Sequence, residues 1–317
     1  MRKSSRRGKR EAEIYRPESV RELLTIYNSN PGAVLFAGGT SLMAGEIYGM
    51  ESEDYRNQRG ASVESIVSLE RVSELNRIVR KERYLEIGAA VPLSKILAIG
   101  SRVIPRALFS SLSVVGPPSV RNLATLGGGL CAANVAFSPL PVLDVLGARL
   151  ELRSKAKTRW LSISDFLVEE GVTQLSVNEI LTRIRIPYSD WDIQYFRRVG
   201  EWGNPDYPVL NFCALVRTEK DTIEDVKFAL GGLPEGIIRD RKLELSITGL
   251  KIPIGERDKK VILKRWEELL NEGIGRNVSK ETGELGRNLN YQIKTGIKIF
   301  KSFVEGLVFL NYSGFNI

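Results

Sequence analysis

Histidine is absent from this 317-residue chain, and cysteine occurs only at Cys131 and Cys213. These absences exclude a Ser-His-Asp triad, a His-Glu-x-x-His zinc site and a flavin tethered through histidine. They also exclude a Cys₄ zinc site or an iron–sulfur cluster held within this chain alone. Two cysteines fit a reducing, cytoplasmic compartment, and each reads as a small buried hydrophobe. No run approaches the ~18 apolar residues a membrane span needs, and no apolar stretch follows the basic start of the chain, so neither a span nor a secretory leader is expected. Any redox work here requires an organic cofactor.

Hydrophobic residues make up 43% of the chain and charged residues 26%, the balance of an ordinary globular protein. The formal charge of +8 is concentrated at the start, where Arg2, Lys3, Arg6, Arg7, Lys9 and Arg10 are accompanied by no acid. That segment reads as a disordered, solubilising or partner-docking arm, and no nucleic-acid partner is expected. At this length two domains are the default.

Two glycine-rich motifs stand out, Phe36-Ala37-Gly38-Gly39-Thr40-Ser41-Leu42 and Arg121-Asn122-Leu123-Ala124-Thr125-Leu126-Gly127-Gly128-Gly129-Leu130. Glycine permits positive φ and close approach, and successive N–H groups in such turns form anion-binding concavities. A hydroxyl flanks each motif. Two converging turns suit the diphosphate of a long, dinucleotide-type cofactor. Neither is followed by Lys-Ser or Lys-Thr, which sets aside a Walker-type site.

Around these motifs the pattern predicts a helix capped by Ser19, a strand over 33–36 leading into the first turn, and strands at 65–69 and 84–91. Short helices are expected after Pro92, from Ala107 to Val115, and from Pro141 to Leu146. Residues 50–62 read as a polar insertion. Alternation over 148–153 and 180–187 marks half-buried antiparallel strands. The texture changes near residue 190, where three strands, Tyr195–Val199, Val209–Arg217 and Val226–Leu230, precede a helical C-terminal part.

The motifs and their order resemble the flavin-binding medium subunit of the molybdenum hydroxylases, the family of xanthine dehydrogenase and aerobic carbon monoxide dehydrogenase. Ala37-Gly38-Gly39-Thr40 matches that family's first turn, and Arg121 to Gly129 its Arg-Asn-x-Ala-Thr-Ile-Gly-Gly-Asn stretch. Ile87-Gly88-Ala89, Asp206-Tyr207-Pro208, and Leu230-Gly231-Gly232 with Arg239 and Glu244 extend the match.

The resemblance implies an α+β fold. A vanillyl-alcohol-oxidase/PCMH-type FAD-binding domain of two subdomains spans 14–190 after a tail over 1–13. A C-terminal α/β domain with a small antiparallel sheet, like that of carbon monoxide dehydrogenase flavoproteins, spans 191–317. FAD would be non-covalent, held by Leu35, Ala37, Gly38, Gly39, Thr40, Ser41 and Leu42 on one side. Val115, Asn122, Ala124, Thr125, Gly127, Gly128 and Gly129 would face it from the other, with Asn134 and Ser138 alongside. Leu181 falls near the flavin ring, as does a basic residue, Arg197 or Arg198. Gly129 stands where the family commonly has Asn, and Ser138 where it commonly has Asp.

The implied role is electron transfer from 2Fe–2S clusters of a small partner, fed by a molybdopterin-binding large partner, through FAD to NAD⁺ or another acceptor. A dimer of heterotrimers is implied as well. Two alternatives stand beside it, a flavin-free interaction subunit and a flavoenzyme like UDP-N-acetylenolpyruvylglucosamine reductase.

Overall fold

A computed structural model describes residues 12–44, 65–169, 171–201, 208–278 and 284–312. The basic start, the polar stretch at 50–62, and Asp206 and Tyr207 lie outside the described residues.

The chain opens with β1 (Glu13–Tyr15), so Glu13, assigned to the tail on sequence, is already paired. Helix α1 (Val20–Ser29) follows, its start fixed by Ser19, whose hydroxyl accepts from the Glu22 amide at 3.2 Å. It buries Val20, Leu23 and Leu24, the stripe expected from their spacing. β2 (Val34–Phe36) runs into the first glycine turn and α2 (Thr40–Ala44). β3 (Ser65–Ser68) lies between β1 and β2, parallel to both.

A five-stranded antiparallel sheet comes next, in the order β4 (Ile78–Arg80), β5 (Tyr84–Gly88), β10, β6 and β7. Inserted after β5 are α3 (Leu93–Ala98), α4 (Arg106–Ser113), α5 (Pro118–Arg121), α6 (Leu126–Cys131) and α7 (Pro139–Val145). β6 (Arg149–Arg153) and β7 (Thr158–Ser162) follow, then α8 (Ile163–Phe166) and the hairpin of β8 (Leu167–Glu169) and β9 (Val172–Thr173). The central strand β10 (Ile180–Pro187) buries Ile184 and Ile186 against these helices. Its opposite face carries Arg183 and Arg185, which bracket Glu86 at 3.2 and 2.8 Å, with Arg185 stacked 4.0 Å from the Trp160 ring.

The remaining sheet is antiparallel, β11 (Ile193–Val199), β12 (Leu210–Glu219), β13 (Thr222–Leu233) and β14 (Gly236–Ile238). The sequence pattern showed three of these strands; β14 is short and follows β13 through a tight turn. Both faces of this sheet are covered. Phe212, Ala214, Val216, Phe228 and Leu230 face a helical layer of α9 (Arg241–Ile247), α10 (Glu256–Val278) and α11 (Glu284–Tyr312), including Trp266, Phe300 and Phe303. Cys213, Leu215 and Ala229 point the other way, into the core of the preceding segment. This second face is continued by an aligned row of Arg198, Asn211 and Gly231 on β11, β12 and β13.

Candidate functional site

The first turn and the second glycine motif meet. Gly38 lies so close to the backbone of Leu123 that a Cβ would sit 1.8 Å from its carbonyl oxygen. Gly39 takes φ +70°, the left-handed region that favours glycine, and a Cβ there would also run into the Phe36 ring at 2.2 Å. The turn is thereby bent back on itself and laid against the 120–125 segment.

The second motif works differently from the first. Its glycines have negative φ and form the first turn of helix α6, capped by Thr125, whose Oγ1 accepts from the Gly128 amide at 3.0 Å. The remaining amides are also engaged: Leu126 donates to Val91, Gly127 to Ala89 and Gly129 to Thr125. The sequence pattern suggested two turns of free N–H groups. Here helix capping consumes those of the second, and its glycines serve close approach instead, Gly127 against Ala89 and Gly129 beneath the Phe137 ring. The helical Met43 amide donates to Gly39, whereas helix geometry provides no acceptor within α2 for the N–H groups of Thr40, Ser41 and Leu42 ahead of it.

Between the motifs lies a cavity of about 660 Å³, within the roughly 300–1,000 Å³ usual for small-molecule sites. One wall is Leu35 and residues 37–42, and the facing wall is residues 114–117 with Val120, Ala124, Thr125, Gly128 and Gly129. Cys131, Ala132, Asn134, Ala136, Phe137, Ser138 and Arg198 complete the lining. Of the residues singled out on sequence, Leu35, Ala37, Gly38, Gly39, Thr40, Ser41, Leu42, Val115, Ala124, Thr125, Gly128, Gly129, Asn134, Ser138 and Arg198 line this cavity.

Asn122, Gly127, Leu181 and Arg197 do not line it. Asn122 is exposed at the end of α5, and Gly127 is buried against Ala89. Leu181 is a core residue at 5% exposure, where a bulge between Leu181 and Arg183 turns its side chain inward. Arg197 is exposed and opposes Phe212, on the sheet face turned toward the helices, while its neighbour Arg198 points to the cavity. Strand alternation thus resolves a choice the sequence left open.

Arg198 is the one charged side chain among the described lining residues. Its Nη1 donates to the Val114 carbonyl at 2.8 Å, while its Nε is buried and has no partner among the described residues. Burial pulls its pKa down from the usual arginine value, because no described carboxylate pairs with it. Asn134 Oδ1 accepts from the Ala136 amide at 2.9 Å and shapes the 134–138 loop. Arg121 closes the facing loop by donating to the Val115 and Gly116 carbonyls. Cys131, read on sequence as a small buried hydrophobe, is instead exposed and borders the cavity, whereas Cys213 is buried.

Sequence reasoning missed Phe137, Val114, Gly116, Pro117, Val120, Cys131, Ala132 and Ala136 as lining residues. Phe137 also accounts for Gly129: a Cβ at position 129 would be 2.4 Å from its ring, so the family's Asn does not fit beside this phenylalanine. An apolar, elongated cleft with a glycine cradle and one unpaired cation fits an anionic, flat-ringed cofactor. Among the described residues no group of His, Cys, Asp or Glu is placed to hold a metal.

Comparison with known proteins agrees with this geometry. The chain aligns with a glyceraldehyde dehydrogenase medium chain of Sulfolobus acidocaldarius at 27% identity, over 76% of this chain and 83% of that one. It aligns with a nicotinate dehydrogenase FAD-subunit of Eubacterium barkeri at 32% identity, over 56% of this chain and 59% of that one. A chain of the solved carbon monoxide dehydrogenase of Hydrogenophaga pseudoflava superposes with a TM-score of 0.73 at 17% identity, over 92% of this chain and 95% of that one. The fold is therefore the α+β medium-chain fold with a PCMH-type FAD-binding domain. Residues 10–189, more than half of the chain, match the FAD binding domain in molybdopterin dehydrogenase, and the chain belongs to that family as an FAD-binding oxidoreductase subunit.

Proposed function

We propose that this chain relays electrons through FAD within a molybdenum hydroxylase complex, from 2Fe–2S clusters of a small partner to NAD⁺ or another acceptor. A molybdopterin-binding large partner would carry out the substrate chemistry, in a dimer of heterotrimers. The observation that carries this reading is the unpaired Arg198 guanidinium facing a glycine-cradled cavity.

FAD, when bound, supplies a centre that exchanges one or two electrons. In this reading Gly38 and Gly39 let backbone approach the diphosphate, and the Thr40 and Ser41 groups at the start of α2 donate to it. Gly128, Gly129 and Phe137 offer a flat wall to a ring system. Arg198 supplies positive charge toward the reduced, anionic flavin. Hydride transfer requires no acid or base from this chain, in keeping with its lack of histidine. With only two cysteines and no histidine, metal and cluster chemistry falls in this reading to partner chains.

The visible spectrum of the purified protein, before and after adding FAD, tests the reading. Flavin bands released by acid support it, as does reduction of that flavin by an iron–sulfur partner chain. No flavin uptake with excess FAD would instead favour the flavin-free interaction subunit.

A further inference from the structure

The row formed by Arg198, Asn211 and Gly231 places two unmet hydrogen-bonding groups side by side. Asn211 is completely buried near the start of β12, between Leu210 and Phe212. Its Nδ2 donates to the Ala136 carbonyl at 3.1 Å, which fixes the amide's orientation because a carbonyl only accepts. Its Oδ1 therefore points elsewhere, and it is buried without a partner among the described residues. Directly across the strand pair, Arg198 has a buried Nε–H that also lacks one. Opposed residues in an antiparallel pair carry Cβ atoms about 4.5–5.5 Å apart, so this donor and this acceptor are within a side-chain rotation of each other. On the other flank Gly231 contributes no side chain, and the space there is bounded by Pro141.

We propose that Asn211 is the positioning residue for Arg198. In the present arrangement Arg198 is tethered to the Val114 carbonyl. With an anionic group in the cavity, the Arg198 Nη groups would leave that carbonyl and its Nε–H would turn onto Asn211 Oδ1. The amide then links the cation to Ala136 and so to the 134–138 wall. The buried and otherwise unused acceptor is the reason a polar residue stands among the buried apolar residues that open β12. This inference rests on the reading that Arg198 faces reduced FAD.

The test uses the full-length protein loaded with FAD and reads the preference for reduced over oxidised flavin from its reduction potential. Asn211→Leu is expected to lower that preference roughly tenfold, the scale of one hydrogen bond to a charged group. Arg198→Met is expected to lower it further, and the double variant to match Arg198→Met alone. Asn211→Ser, a smaller change, tests the same acceptor should the leucine variant not fold. A crystal structure with FAD should place Arg198 Nε within hydrogen-bond distance of Asn211 Oδ1. An unchanged potential in both Asn211 variants, additive losses in the double variant, or Arg198 still on Val114 with FAD bound would each overturn the proposal. An Arg198→Met variant with unchanged potential would overturn the role of Arg198 itself, and failure of the wild-type chain to take up FAD would overturn both readings.

Discussion

Two half-buried arginines, Arg198 and Arg239, are treated oppositely. Arg239 binds Glu244 through Nε and Nη2 at 2.8 and 3.2 Å, and Asp144 through Nη1 at 3.1 Å. Glu244 in turn accepts from the Phe228 amide at 3.0 Å. Burial opposes the Arg239 charge, but the two carboxylates outweigh it and raise its pKa. Arg198 has a carbonyl, no described carboxylate and an idle Nε. The first is a completed clamp between α7, α9 and the sheet. The second lines the cavity with no described counter-ion, and the contrast separates a residue that ties elements together from the one for which a ligand role is proposed.

The comparison breaks most visibly at the clamp. Replacing Glu244 with Gln strands Arg239 beside one remaining acid, and urea unfolding should show a loss of about 3–5 kcal/mol. At the cavity, Gly39→Val should abolish FAD uptake in a fluorescence titration while leaving the circular dichroism spectrum unchanged. Full flavin occupancy in that variant would displace the diphosphate from the first turn. Arg198→Met should sharpen the contrast. Its unfolding midpoint should stay within about 1 kcal/mol of wild type, since an unmet polar group is removed with the charge, while FAD affinity falls measurably.

A pH scan adds a reference point remote from both arginines. Glu179, paired with Arg159 at 2.7 Å and accepting from the Ser176 amide, has its pKa lowered to about 2, chiefly by the Arg159 hydrogen bonds. The folded value lies below the unfolded one, so its stabilisation is complete above about pH 4.5 and is lost as pH falls toward 2. Arg159→Ala should flatten this acid limb of the stability curve. The smallest effect is expected from deleting residues 1–10, which should leave flavin occupancy unchanged.

Much of this was legible in the sequence because local rules were obeyed. Ser19 caps the helix it precedes, the stripe Val20, Leu23, Leu24 is buried, and the three strands expected after residue 190 form one sheet. The glycine motifs and their convergence were legible too. What local pattern could not carry was the use each glycine is put to. Whether the amides of Leu126 and Gly127 stay free depends on the Val91 and Ala89 carbonyls arriving from elsewhere, while Thr125 within the motif takes that of Gly128. The choice of Arg198 over Arg197 depends on strand register, and the space taken by Phe137 depends on its fold back over Gly129. Asn211 left one faint signal, a single amide in an otherwise apolar strand.

The contact of Gly38 with the Leu123 carbonyl joins segments far apart in the chain. Arg198, which lines the same cavity, is synthesised later still. The cleft therefore comes into being only after long-range closure, a slow class of folding event. FAD can be captured only by the finished molecule, and by mass action it then shifts the balance further from the unfolded chain. The steady-state abundance of this protein in a cell should consequently track the supply of riboflavin.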